Sequence, residues 1–199
     1  MRLYEKDTGK IFVNGMPVED INIESYRGRF SAVFQDIYLY AGSIRENIAL
    51  DISVNENRLD EAIKLSGFID KLETLEDGCD TLLTKELDDG GINLSGGETQ
   101  RLALARAIYR ESDVIILDEP SSAIDLMAEY QLNETIKEIA KDRIVFFISH
   151  RLSTTKIADK IFYIENGEII EAGSHNDLMK LNGKYAEMFN IQAMKYNKE

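Results

Sequence analysis

Tryptophan is absent from this chain of 199 residues, cysteine occurs once and proline twice. The lone Cys79 excludes an internal disulfide and suits a reducing compartment; we assign the thiol no role. Basic side chains are scarce, 23 against 36 acidic ones, for a formal net charge of -13. That balance argues against a nucleic-acid partner, because duplex affinity rests on Lys and Arg neutralising phosphates. Any anionic ligand must be held by local groups. Long apolar runs are missing as well. Val114–Leu117 and Ile144–Ile148 fall far short of the roughly 20 residues that a membrane-spanning helix needs, and no signal-peptide pattern opens the chain. Membrane association is expected only through a partner.

What is present is the mixture of a folded domain, 44% hydrophobic and 30% charged, in a chain long enough to bury a sizeable core. Met1 to Tyr4 read as the tail of an element, a helix-compatible scrap without a cap, followed by the turn-like Glu5–Gly9. Strands are expected at Lys10–Val13, closed by Asn14-Gly15, and at Phe30–Phe34, ending at Gln35-Asp36. A helical middle begins at the cap Asn55, carries Leu59, Ile63 and Leu65 at roughly helical spacing and stops at Gly67.

From Leu94 onward the pattern is helix, strand, helix, strand, helix, hairpin, helix, the alternation of a parallel sheet with helical crossovers. Its strands, Val114–Leu117 and Arg143–Ser149, are continuous apolar runs with carboxylate, serine or histidine at their C-terminal ends, where open α/β sheets place ligands. Asn166-Gly167 joins Lys160–Glu165 to Glu168–Ala172 as a hairpin. Ser174 caps a helix with Asp177 at its third position, and Tyr185–Met194 is a terminal helix. His175 is expected to face solvent at a helix start. The Ile136–Lys141 region and Asp88-Asp89 read as solvated faces.

Two strings carry chemistry. Val114–Leu117 delivers Asp118 and Glu119 to an exposed strand end closed by Pro120. Alternation along the strand would turn Asp118 to a Mg²⁺ ion and Glu119 to a water. An acidic turn after a strand is the plain alternative. The second string, Leu94-Ser95-Gly96-Gly97-Glu98-Thr99-Gln100-Arg101, opens a helix with Leu102, Ala105, Ile108 and Tyr109 on one side. Ser95 and Glu98 have capping-box spacing, and the same geometry exposes backbone N–H groups at the positive end of a helix, a ready phosphate site.

These residues resemble the signature motif and the Walker B motif of an ATP-binding cassette (ABC) ATPase, and further motifs agree in order. Gln35 stands where the family has its Q-loop glutamine, which contacts Mg²⁺ and the attacking water. Ser122-Ala123-Ile124-Asp125 resembles the D-loop at the dimer interface, and Ile148-Ser149-His150-Arg151 the switch-histidine motif. Phe34-Gln35-Asp36 with Leu39–Ile48 is similar to the exporter branch, and Glu86–Gly91 resembles the exporter X-loop, with Asp89 as its acid. The resemblance implies an α/β, P-loop NTPase-like mixed sheet over residues 1–199, with a helical subdomain at about 36–110. It implies catalytic roles for Glu119, His150 and Gln35, and Mg²⁺ ligation by Asp118 and Gln35. Ser95, Gly96, Gly97 and Glu98 would contact the ATP of a partner, with Asp125 at the interface. ATP and Mg²⁺ are the implied ligands. The implied partners are a second cassette and an exporter's transmembrane domain, at the cytoplasmic face of the membrane.

One part of the family pattern is missing. Nucleotide binding in this class uses G-x-x-x-x-G-K followed by Ser or Thr, whose amides and lysine hold the phosphates, and no such string occurs. In the family Met1–Tyr4 would end the helix that starts at that loop, so the domain is expected to be incomplete at its N-terminus. The isolated chain is expected to bind ATP poorly. An alternative role is a non-catalytic cassette donating its signature motif in trans to a complete one.

Overall fold

The computed structural model describes residues 1–51, 53–84, 91–121 and 124–196, apart from the side chains of Leu152, Ser153, Lys195 and Tyr196. Two compact units divide the chain, Met1–Ile148 and Ser149–Glu199.

The first unit opens with a hairpin of β1 (Phe12–Val13) and β2 (Met16–Pro17). Asn14 and Gly15 turn it with φ of 50° and 80°, the positive pair that such a turn requires. Asn22 caps α1 (Ile23–Gly28) through its side-chain oxygen. β3 (Phe30–Val33) and β4 (Gly42–Ser43) follow, then α2 (Ile44–Ala49), α3 (Glu56–Leu65) capped by Asn55, and α4 (Ile69–Leu72). β5 (Leu82–Leu83) pairs antiparallel with β4. The unit closes with α5 (Gly96–Tyr109), β6 (Val114–Asp118), α6 (Leu126–Ile139) and β7 (Ile144–Ile148).

β6 is the middle strand of a parallel sheet ordered β3-β6-β7. Its register runs from Phe30 opposite Val114 to Val33 opposite Leu117, and from Val114 opposite Ile144 to Asp118 opposite Ile148. Parallel pairing brings all three C-terminal ends to one edge. Ser31, Val33, Ile115 and Leu117 are buried, and α5 packs against β3. Burial of α5 extends beyond the expected stripe, because Ala103, Leu104 and Ala107 are enclosed along with Leu102, Ala105, Ile108 and Tyr109. Its alanines admit α2 and α3 closely, and full burial of each of its leucines and Ile108 stabilises by about 1.5–3 kcal/mol relative to exposure.

The second unit comprises α7 (Leu152–Thr155), the hairpin β8 (Ile161–Glu165) and β9 (Glu168–Gly173), α8 (His175–Leu181) and α9 (Lys184–Tyr196). Ser174 and Asp177 form the expected capping box.

Three expectations change. Met1–Tyr4 is not helical, and Arg2 has a φ of 53°; so short a segment lacks the hydrogen bonds to offset helix nucleation. In the Ile136–Lys141 region Ile136 and Ile139 are buried on α6, while Glu138 and Lys141 pair outside at 2.5 Å, so only one side is solvated. His175 does not simply face solvent. Its Nδ1 lies 2.8 Å from the hydroxyl of the buried Tyr185, and its ring packs 4.8 Å from that of Phe189.

Burial, aided by Lys156, lowers the His175 pKa below its ordinary value. The unfolded chain therefore binds the extra proton. The resulting stability is complete above the unfolded value of about 6.5 and declines as pH falls below it. Thermal melts from pH 8 to 5.5 should show this loss for the parent chain, and His175→Gln should remove it.

Candidate functional site

The C-terminal edge of the parallel sheet gathers the first group of residues. β6 ends at the half-buried Asp118, opposite Ile148 of β7. Gln35 lies two residues beyond Val33, the last residue of β3, and is exposed at the same edge. Glu119 has left the strand. Its φ of 49° is left-handed, a conformation costing an L-residue about 1–2 kcal/mol, and its N–H donates to the Ile148 carbonyl at 2.9 Å. Strand alternation thus governs Asp118 but not Glu119, whose direction is set by the turn; the alternation argument stops one residue short. Pro120 and Ser121 are buried behind it.

The second group stands at the start of α5. Ser95 adopts extended backbone, φ -66° and ψ 165°, and forms a complete capping box. Its hydroxyl oxygen accepts the Glu98 N–H at 3.3 Å, and its own N–H donates to Glu98 Oε2 at 2.7 Å. Glu98 Oε1 pairs with Lys71 at 3.2 Å. Burial pushes the Glu98 carboxyl up, but the Ser95 N–H, Lys71 and the Ser95 hydroxyl outweigh it and hold the pKa below the ordinary value. With both oxygens engaged, Glu98 shapes the turn. Ser95 and Gly96 are exposed, so the start of α5 is open to a ligand.

Asp125 is the N-cap of α6, its Oδ1 accepting the Ala128 N–H at 2.8 Å, and it is exposed. Ile124 beside it lies 3.7 Å from where a β-carbon on Gly97 would stand, so the D-loop-like and signature-like segments abut. Ser122 and Ala123 lie outside the described residues, as does Asp89. His150 belongs to the second unit, where it is exposed and its carbonyl accepts Gln192 Nε2 at 2.7 Å.

The structure adds a hub that sequence reasoning passed over. Ser43 and Glu46 form a second complete capping box on α2, visible as S-x-x-E within the exporter-like segment. Asn47, fully buried, accepts the Tyr40 N–H at 2.8 Å and donates to the Tyr40 and Ser43 carbonyls at 2.9 and 3.0 Å. Arg106 of α5 donates to the Asn47 carbonyl at 2.8 Å and the Tyr38 carbonyl at 3.2 Å, and its guanidinium lies over the Tyr40 ring. The segment after Gln35 is thereby fastened to the helix that Ser95 begins.

A family model described as "ABC transporter" matches residues 1–122. The ATP-dependent lipid A-core flippase of Pasteurella multocida is 40% identical over 193 residues, covering 96% of this chain and 32% of the flippase. The flippase of Photobacterium profundum is 38% identical over 193 residues, with the same coverage of each chain. The chain thus spans about a third of the length of these relatives. Among solved structures, a bacterial Atm1-family ABC exporter with ATP bound matches with a TM-score of 0.85 and 33% identity, over 96% of this chain and 33% of that one.

Asn47→Ala should destabilise the chain by about 2–4 kcal/mol, since it leaves the Tyr40 N–H and the Tyr40 and Ser43 carbonyls without their buried amide partner. Urea unfolding measures the loss.

Proposed function

Because the chain belongs to the ABC transporter family, we propose that it is the nucleotide-binding cassette of an exporter, the part that couples ATP binding and hydrolysis to transmembrane transport. The observation that carries this reading is the extent of the likeness, 96% of the chain matching an ABC exporter at a TM-score of 0.85. In this reading the helical subdomain spans about residues 36–110, and the working partners are a second cassette and a transmembrane domain at the cytoplasmic face. No helix among the described residues is long and apolar enough to cross a membrane. Cargo choice belongs to membrane helices and is not inferred from the cassette.

In this reading Glu119 polarises the attacking water, Gln35 orients it from the adjacent strand end, and His150 contacts the terminal phosphate. The left-handed turn at Glu119, held by Ile148, gives its carboxylate a fixed approach. Asp118 and Gln35 supply oxygen donors suited to Mg²⁺. Yet no group of three His, Cys, Asp or Glu residues among the described residues converges as a metal site. A Mg²⁺ ion shared with phosphate oxygens usually takes only one or two protein ligands, and Asp118 and Gln35 would be those ligands here. The triphosphate lacks its glycine cradle and lysine within residues 1–199, and positioning supplies most of phosphoryl-transfer catalysis.

The half-site donated in trans is better formed. Its capping box is complete and its Ser95 exposed, which favours a second reading in which this cassette closes over ATP held by a complete partner. Asp125 would lie at that interface.

Two measurements test these readings. A fluorescent-nucleotide titration of the isolated chain should show no saturable Mg-ATP binding in the micromolar range, and tight binding would refute the deficit. Mixed with a complete cassette, the parent chain should raise ATP turnover and Ser95→Arg should abolish the gain; an unchanged rate sinks the trans role.

A further inference from the structure

The first turns of α5 are gripped by more than their own cap. Arg101 donates from one guanidinium nitrogen to the Gly67 carbonyl at 3.0 Å and to Asp70 Oδ2 at 3.3 Å, and from the other to Gln131 Oε1. The partners sit on three separate pieces of the first unit: the glycine turn after α3, the helix α4, and α6. Lys71 of α4 reaches the same end of α5 through Glu98. Beside this clasp runs a groove of about 300 Å³ lined by Gly97, Ile124 and Gln131 among others.

The placement is regular. Arg101 stands six residues after the cap Ser95, and Gln131 six residues after the cap Asp125. The tie therefore joins both helices at one depth from their N-termini, about 9 Å along each axis at 1.5 Å per residue. Only a guanidinium offers several donors in one rigid plane; a lysine ammonium is a point charge on a flexible stem.

We propose that Arg101 is a positioning residue that locks the signature turn Ser95–Glu98 to the N-terminal half of α6, so that Ser95 and Asp125 face a partner cassette as one block. The proposal rests on the cassette reading for its purpose, but its geometry is internal to this chain and is tested without nucleotide.

Hydrogen exchange on the full chain reads it directly. The reporters are the Glu98 and Thr99 amides, bonded to the Ser95 hydroxyl and carbonyl, and those of Ala128 and Glu129, bonded to the Asp125 side chain and carbonyl. Arg101→Lys keeps the charge and loses the fork, and should speed exchange at both pairs about tenfold, the scale of one charge-assisted hydrogen bond. The β6 amides report global unfolding, in which the tie is also lost, and should speed by no more than the same factor. Gln131→Leu should act alike at both pairs. Adding Gln131→Glu to Arg101→Lys supplies a Lys–Glu pair and should return the rates to within about threefold of the parent. Acceleration confined to α5, no acceleration at either pair, or no rescue would each overturn the proposal. None of those results touches the ATPase test of the trans role, so the two readings fail separately.

Discussion

Helix α5 is enclosed on nearly every side, and that burial dictates how its two arginines are treated. A guanidinium removed from water is costly unless its donors find acceptors. Arg106 is held by two backbone carbonyls and lies over a tyrosine ring, and burial lowers its pKa even so. Arg101 is satisfied by a carbonyl, a carboxylate and an amide. Solvating these cations pins the Tyr38–Asn47 segment, the turn at Gly67 and helix α6 to a single helix. The candidate phosphate-facing turn at Ser95 begins that helix, so its position follows from packing far from any ligand.

The parallel sheet imposes the complementary constraint. Since β3, β6 and β7 run the same way, whatever follows each strand emerges at one edge, and Gln35, Asp118 and Glu119 are neighbours by topology. At Glu119 the chain leaves the ladder through a left-handed residue, yet its N–H still bonds β7. The strain is thus held by the adjacent strand, which fixes the residue off the strand axis.

Local features are legible in the sequence because their causes are local. The capping boxes at Ser95–Glu98 and Ser174–Asp177, the cap Asn55, the stop at Gly67 and both Asn-Gly turns need only residues a few positions apart. The box at Ser43–Glu46 has the same signature and is equally readable, but it lies inside a segment that stands out first for its family likeness. The Glu119 turn is not legible, because alternation holds only while the chain stays in the ladder. Nor are the arginine clasps, whose partners lie 30 to 34 residues from Arg101 and 59 and 68 residues from Arg106. His175 has the sequence context of a surface residue because its partner Tyr185 arrives on the next helix, ten residues on.

Strand β7 shows where apolar pattern and burial part company. Ile144–Ile148 is an unbroken apolar run, the pattern of a parallel strand covered on both faces. Ile144, Phe146 and Ile148 are nevertheless 59%, 55% and 56% exposed, so much of the roughly 1.5–3 kcal/mol that burial of each side chain offers is unrealised in the chain described. An exposed apolar row on an edge strand also favours association between copies. The net charge of -13 acts against it, because like-charged chains repel over about 10 Å at 0.1 M salt and less as salt rises. The acidic balance therefore has a physical consequence within the fold itself: it helps keep an incompletely covered sheet from pairing with itself.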